Sequence, residues 1–292
     1  MAFSMGAMAQ SGALADTFSA AFTLPRWRVG LVTAALALTI LLGGIRRIAD
    51  ISTVLVPVMA LLYLGGGLAV ILGNLRRLPE AVTLMLRCAV APEAALGGAL
   101  GIVTRREARR WGVARSVFSN EAGLGSAAIT AACADTDEPV KQGLISMTGV
   151  FFDTMVICTV TGLAICCSGT LGTADGAGRP LTGAALTLRA FETVLGPLAP
   201  WLIGVALGLF AFTSVLGCAV QAETTASYLL GPEAVRPCRV LYGLAVFAGA
   251  VIPMATVLQL ADLANALMAF PNLVCLLLLS DEIAGECGRK ER

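Results

Sequence analysis

Apolar runs long enough to cross a bilayer, roughly 17–25 residues each, recur along the chain between short breaks rich in Pro, Gly and charged residues. Met1 to Phe22 reads as a helix of small residues. After Pro25 a second run extends from about Val29 to Gly44 and ends at "IRRIAD". A third covers about Val54 to Gly73, preceded by the apolar "STVLVPVM". "LPEAVTLMLRCAV" is too short to span and is expected to be a surface or re-entrant helix. An interrupted segment follows from about Arg115 to Ala134, then a strong span from about Gln142 to Cys167. "SGTLGTADGAGRPLTG" is a loop by its glycines, and "AALTLRAFETVLG" is expected to be a short helix at the membrane face. The last three spans are about Trp201 to Leu229, Val240 to Pro253 and Val257 to Ser280. The pattern predicts an all-α integral membrane protein with about eight spans in one domain over residues 1–280, and a polar tail at 281–292.

Composition agrees. Of 292 residues, 57% are hydrophobic and 13% charged, about half the charged share of a soluble domain, so the chain lacks the polar surface to cover its core in water. Net charge is +1 with scattered basic residues, which leaves no nucleic-acid footprint. The nine cysteines lie singly or as Cys166-Cys167 inside apolar runs, without the spacings of a metal site or a disulfide framework. There is no histidine, which removes Ser-His and Cys-His catalysis and the commonest metal ligand together. The start carries no positive region ahead of its apolar part and is not expected to be a signal peptide. Arg46, Arg47, Arg289, Lys290 and Arg292 favour cytoplasmic placement. Alternation from Arg46 puts the densest basic cluster, "RREARRWGVAR", on the other side, unless short amphipathic helices bring it back or it lines a vestibule.

The stretch "VFSNEAGLGSAAITAA", Val117 to Ala132, sets a carboxylate beside two glycines within such a run. Each glycine weakens a helix by about 1 kcal/mol relative to alanine, and both permit positive φ. A carboxylate at mid-membrane costs on the order of 2.5–3.5 kcal/mol even on insertion scales. Irregular backbone at that depth survives only inside protein or beside a water-filled cavity. The combination predicts a discontinuous helix whose freed N–H and C=O groups suit a carboxylate-bearing substrate and Na+; a plain helix with a glycine packing notch is the alternative. Asp153 and Thr154, then Thr159 and Thr161, lie on one span. Thr213 and Ser214 are adjacent hydroxyls suited to a small hard cation, with Gln221 and Glu223 beyond them. Asp262 and Asn265 share a helix face, with Pro271 one to two turns on. A protease using Ser126 has no histidine to activate it, and Asp153 with Asp262 lacks a Gly-x-Gly-Asp setting. A channel tolerates broken helices too, but no repeated pore loop is present. A secondary transporter leads among these readings.

Gly112 to Ile165, "GVARSVFSNEAGLGSAAITAACADTDEPVKQGLISMTGVFFDTMVICTVTGLAI", closely resembles the alanine/glycine:cation symporter family. "FSMGAMAQSGALADTF" is similar to that family's Gly-Asn-Met-Val-Gln-Ala-Asn segment, and "ILLGGIRRIADISTVLVPVMALLY" and "ADLANALMAFPNLVCLLLLS" match it as well. The resemblance implies a leucine-transporter-type fold of two five-helix inverted repeats around a midplane site. Arg115 to Ala134 is then the broken sixth core helix, Met1 to Phe22 the third and Trp201 to Leu229 the eighth. It implies symport of a small neutral amino acid, alanine or glycine, with Na+ or H+ across the cytoplasmic membrane, with no cofactor, no enzymatic activity and no metal besides the coupling ion. By position, Gln10 contacts substrate, Asn120, Glu121, Gly123, Leu124 and Gly125 form the unwound rim around it, and Thr213 and Ser214 hold Na+. Cys218 stands where the family usually has tryptophan, so a roomier or different substrate is expected. Gly12 stands where asparagine is common. On this comparison the first two core helices have no counterpart here, and the chain is expected to be a truncated product, inactive by itself, or one whose start is placed too late.

Overall fold

The computed structural model describes residues 5–90, 105–174, 176, 178 and 180–289. Those residues are overwhelmingly helical; among them the only extended pairing is an isolated bridge between Ala174 and Pro180. The helices are α1 (Met5–Phe22), α2 (Arg26–Leu41), α3 (Gly44–Gly73), α4 (Leu78–Val90), α5 (Arg105–Ser119) and α6 (Ser126–Ala131). Then come α7 (Pro139–Ser168), α8 (Gly183–Leu195), α9 (Pro200–Leu230), α10 (Val235–Val251), α11 (Met254–Leu278) and α12 (Ser280–Arg289).

Five described helical stretches are long and apolar enough to cross a membrane: α3, α7, α9, the Pro232–Val251 stretch that contains α10, and α11. The 16-residue α2 is short of that length. α1 carries Gln10, Ser11 and Asp16 and falls short in apolarity. The Arg115 to Ala134 segment is broken, as its glycines predict.

The packing centres on α1, which touches α10, α9, α11, α2 and α8. Its small side chains make this possible: a Cβ added to Gly249 of α10 would lie 2.3 Å from Met8 Cα, and one added to Gly12 would lie 3.0 Å from the Gly249 carbonyl oxygen. Close backbone approach through small residues is how helices associate where lipid removes the hydrophobic drive. Two apolar clusters flank this axis. One joins Leu41, Ile48, Val215, Leu216, Tyr242 and Val246 of α2, α3, α9 and α10. The other joins Tyr63, Val70, Leu188, Phe191, Ile203 and Ala206 of α3, α8 and α9. The long α9 therefore serves both.

Three elements differ from the sequence reading. α3 starts at Gly44 rather than near Val54, because Pro57 removes one backbone bond while Met59, Tyr63, Gly66 and Val70 bury its inner face. Its first turns project Arg46 and Arg47 into an exposed position. α8 is helical as expected, but Thr187, Leu188, Ala190 and Phe191 bury one face in the core instead of resting on a surface. The expected polar tail forms α12 up to Arg289, with Asp281 and Glu282 in its first turn, where carboxylates favour a helix. Lys290 and Arg292 of the tail, and Met1 of the first segment, lie outside the described residues. The outer faces of α7 and α11, with Phe151, Phe152, Leu267 and Phe270, expose apolar side chains.

Candidate functional site

α5 ends at Ser119 and α6 begins at Ser126; the six residues between them are the unwound segment. Glu121, Gly123 and Gly125 adopt φ of 49°, 72° and 80°. Two of these positions suit glycine. Position 121 suits it too but carries glutamate, and a non-glycine residue held there costs on the order of 1–3 kcal/mol. Two tight backbone bonds shape the segment, Ala122 N–H to Val117 O at 3.1 Å and Leu124 N–H to Glu121 O at 3.2 Å.

Neighbouring helices hold the break from three sides. From α11, Asn272 Nδ2 donates to Gly123 O at 3.0 Å, and the same side chain leaves no room for a Cβ at Gly125, which would lie 2.7 Å from Asn272 Oδ1. From α7, Thr154 Oγ1 donates to Asn120 Oδ1 at 3.0 Å, and Asp153 Oδ2 accepts from Ser119 Oγ at 3.3 Å. Both α7 residues lie in a π-helical turn, Phe152–Cys158, a local widening often found at functional sites. From α9, Gln221 Nε2 donates to Glu121 Oε1 and Oε2 at 3.1 and 3.0 Å and lies 3.3 Å from Thr130 Oγ1.

These elements enclose one side of an open cavity of about 1030 Å3 between α1, α5, α6, α7, α9 and α11. Gln10, Glu121, Leu124, Ser214, Cys218 and Gln221 line it. The structure thus brings together five of the predicted site residues across three elements far apart in sequence. Asn120, Gly123 and Gly125 stand behind them, engaged by Thr154 and Asn272. The Thr213 and Ser214 hydroxyls both donate to Phe210 O, each at 3.0 Å. Of the two, Ser214 lines the cavity, and Thr213 Oγ1 also lies 3.9 Å from Met59 Sδ.

An ion pair joins Arg115 of α5 to Asp262 of α11, and Arg115 packs over the rings of Trp111 and Phe118 at 5.6 Å. Asp153 and Asp262 therefore have different partners, Ser119 and Arg115. Asn265, one turn beyond Asp262, is buried with Oδ1 unpaired. Among the described residues no three His, Cys, Asp or Glu side chains converge as a metal site. Sequence reasoning missed the roles of Asn272, Gln221 and Arg115. The one signal for Asn272 was its place after Pro271; Gln221 showed only as a polar residue in an apolar span.

The profile of the sodium:alanine symporter family matches residues 1–288. An uncharacterized transporter of Haemophilus influenzae is 41% identical over 285 residues, 97% of this chain and 61% of that protein. A sodium/alanine symporter of Methanococcus maripaludis is 38% identical over 98% of this chain and 61% of its own length. A probable sodium/glutamine symporter of Bacillus subtilis is 37% identical over 93% of this chain and 55% of its own. The chain thus spans about three-fifths of the length of these relatives. With its long apolar helices it is a multi-pass membrane protein, and it belongs to the sodium:alanine symporter family.

Proposed function

We propose that the protein carries a small neutral amino acid, alanine or glycine, together with Na+ across the cell membrane, on a leucine-transporter-type fold with about eight spans in this chain. The observation that carries the reading is the unwound Asn120 to Gly125 segment opening on a cavity that Gln10, Ser214 and Cys218 also line. A fully helical segment has no spare backbone groups to offer; an interrupted one does, and it persists at membrane depth only inside protein or beside such a cavity. In this reading Gln10 and Leu124 flank the amino acid, and the Ser214 and Thr213 hydroxyls serve Na+. Cys218 replaces a bulky wall with a small thiol, which supports a substrate larger than alanine. Relatives named as a sodium/alanine symporter and a probable sodium/glutamine symporter are in keeping with that.

The test is uptake of labelled alanine into proteoliposomes holding the carrier as its gene encodes it, driven by an imposed Na+ gradient. Uptake that needs Na+ and disappears in Gly123→Leu supports the reading. Uptake unchanged when choline replaces Na+ overturns the Na+ assignment, and a pH gradient in place of the Na+ gradient then distinguishes H+. Competition by glutamine and by glycine reports whether the site is roomier than alanine requires.

A further inference from the structure

We propose that a second, smaller cavity at Asp16 is an entry subsite, which takes the ammonium group of the amino acid before the solute reaches the break. The identity of the solute rests on the symporter reading; the cavity and its charge do not. Its volume is about 540 Å3, and Asp16, Ser19 and Thr182 supply its polar side chains. It shares Ala13, Ala184 and Met254 with the large cavity, so the two adjoin. Gln10, Ala13 and Thr17 of α1 line the large cavity, and Ala13 and Ala20 line the small one, with Asp16 between them. Positions 10, 13, 17 and 20 share one helix face, so a single side of α1 runs through both cavities. At 1.5 Å per residue, Asp16 stands about 9 Å along the helix from Gln10.

Among the described residues on the wall of the small cavity, Asp16 alone is ionisable. Its partner Arg26 is divided. Arg26 Nε donates to Ala250 O at 3.0 Å and Nη2 to Ile252 O at 3.4 Å, at the C-terminal end of α10, and Nη2 lies 3.3 Å from Asp16 Oδ1. The last carbonyls of a helix favour a cation, so α10 competes with Asp16 for the guanidinium. Among the described residues no other hydrogen bond or ion pair reaches the Asp16 side chain. A carboxylate offers about four acceptor directions, and this one leaves Oδ2 unclaimed. Size selects the ligand. A hard cation alone is held by about six oxygens at roughly 2.0–2.6 Å, whereas a cavity of this volume lies in the range of about 300–1,000 Å3 that holds organic ligands. An ammonium group carries three donors, which match the Asp16 carboxylate and the Ser19 and Thr182 hydroxyls. The ligand is therefore an organic ammonium ion, the amino group of the entering solute.

The experiment is equilibrium binding of labelled L-alanine in NaCl to the purified, gene-encoded carrier, for the wild type, Gly123→Leu, Asp16→Asn and Ala185→Trp. Tryptophan at 185 fills the small cavity from α8 and leaves the Asp16 and Arg26 pair in place. The wild type is expected to bind more than one alanine per carrier, and part of that binding to survive Gly123→Leu. The surviving part is expected to weaken about tenfold or more in Asp16→Asn, the equivalent of one lost charge-assisted contact, and to vanish in Ala185→Trp. L-lactate, with a hydroxyl in place of the ammonium, leaves it undisturbed. Displacement by L-lactate as effective as by unlabelled alanine overturns the ammonium assignment. Weakening in Asp16→Asn with wild-type binding in Ala185→Trp means that Asp16 only anchors Arg26, and overturns the subsite. A wild type that saturates at a single alanine per carrier overturns the subsite while leaving the symporter reading intact. No alanine binding in the wild type, together with no Na+-driven uptake, overturns both.

Discussion

At Gly125 the backbone stands at φ 80° and Asn272 Oδ1 occupies the space a side chain would need. Alanine there meets a left-handed penalty of roughly 1–2 kcal/mol and also pushes Asn272 off Gly123. Gly125→Ala is thus expected to lower uptake by about tenfold or more, since 1.4 kcal/mol is a factor of ten, while the protein still reaches the membrane; initial-rate uptake against surface abundance checks this. Asn272→Ala removes the donor to Gly123 O and leaves a half-buried carbonyl without that partner, at a cost of up to about 1 kcal/mol. Its effect is expected mainly in KM for the amino acid, with Asn272→Asp failing to rescue because the lost group is an N–H donor. At this scale the sequence was informative about Glu121, Gly123 and Gly125, whose types are anomalous in an apolar run. It was silent about Asn272, because an asparagine reveals its partner only when α11 is laid against the break.

At the scale of elements, α1 and α10 cross so closely that Gly249 has Met8 backbone atoms within 2.8 Å of where its Cβ would be. Backbone cannot rotate away as a side chain can. Gly249→Ala is expected to lower the thermal midpoint in detergent, and Gly249→Leu to abolish folded protein; fluorescence-detected size-exclusion chromatography on heated samples distinguishes the two. The π-helical turn of α7 has a different consequence. It re-aims Asp153 and Thr154 toward Ser119 and Asn120, so Thr154→Val is expected to weaken transport without destabilising the helix. Unchanged kinetics for Thr154→Val would show that the Asn120 contact is idle. Nothing in "FFDTMVICTVTGLAI" marks a π turn, since composition carries no record of an i→i+5 bond.

Across the whole molecule, the cavity is open and reaches from Gln10 of α1 to Asn265 of α11. In a cysteine-free background, cysteine placed at Ser146 or Ala127, both on the cavity wall, is expected to react with a polar maleimide more slowly when alanine and Na+ are present together than with either alone. Equal rates in all conditions would mean that no solute enters there. The same scale shows why span counting from the sequence and from the folded helices differ. Hydropathy recognises α3, α7, α9, α10 and α11, whereas α1 owes its place at the centre of the bundle to five neighbouring helices, not to its own apolarity.

The sequence by itself determined that the chain is helical and membrane-embedded, where its helix is interrupted and to which family it is similar, because hydropathy, glycine spacing and the Asn-Glu-Ala-Gly-Leu-Gly-Ser block are local properties. Only the tertiary structure decided which residues act on the break: Gln221 one hundred residues from Glu121, Asn272 at a separation of 149 from Gly123, and Arg115 with Asp262 at 147. It also decided that the Thr213 and Ser214 hydroxyls meet on the Phe210 carbonyl, with Ser214 on the cavity wall. Such pairings depend on how helices cross, and the angle and register of a crossing come from shape complementarity between surfaces that are not adjacent in the chain.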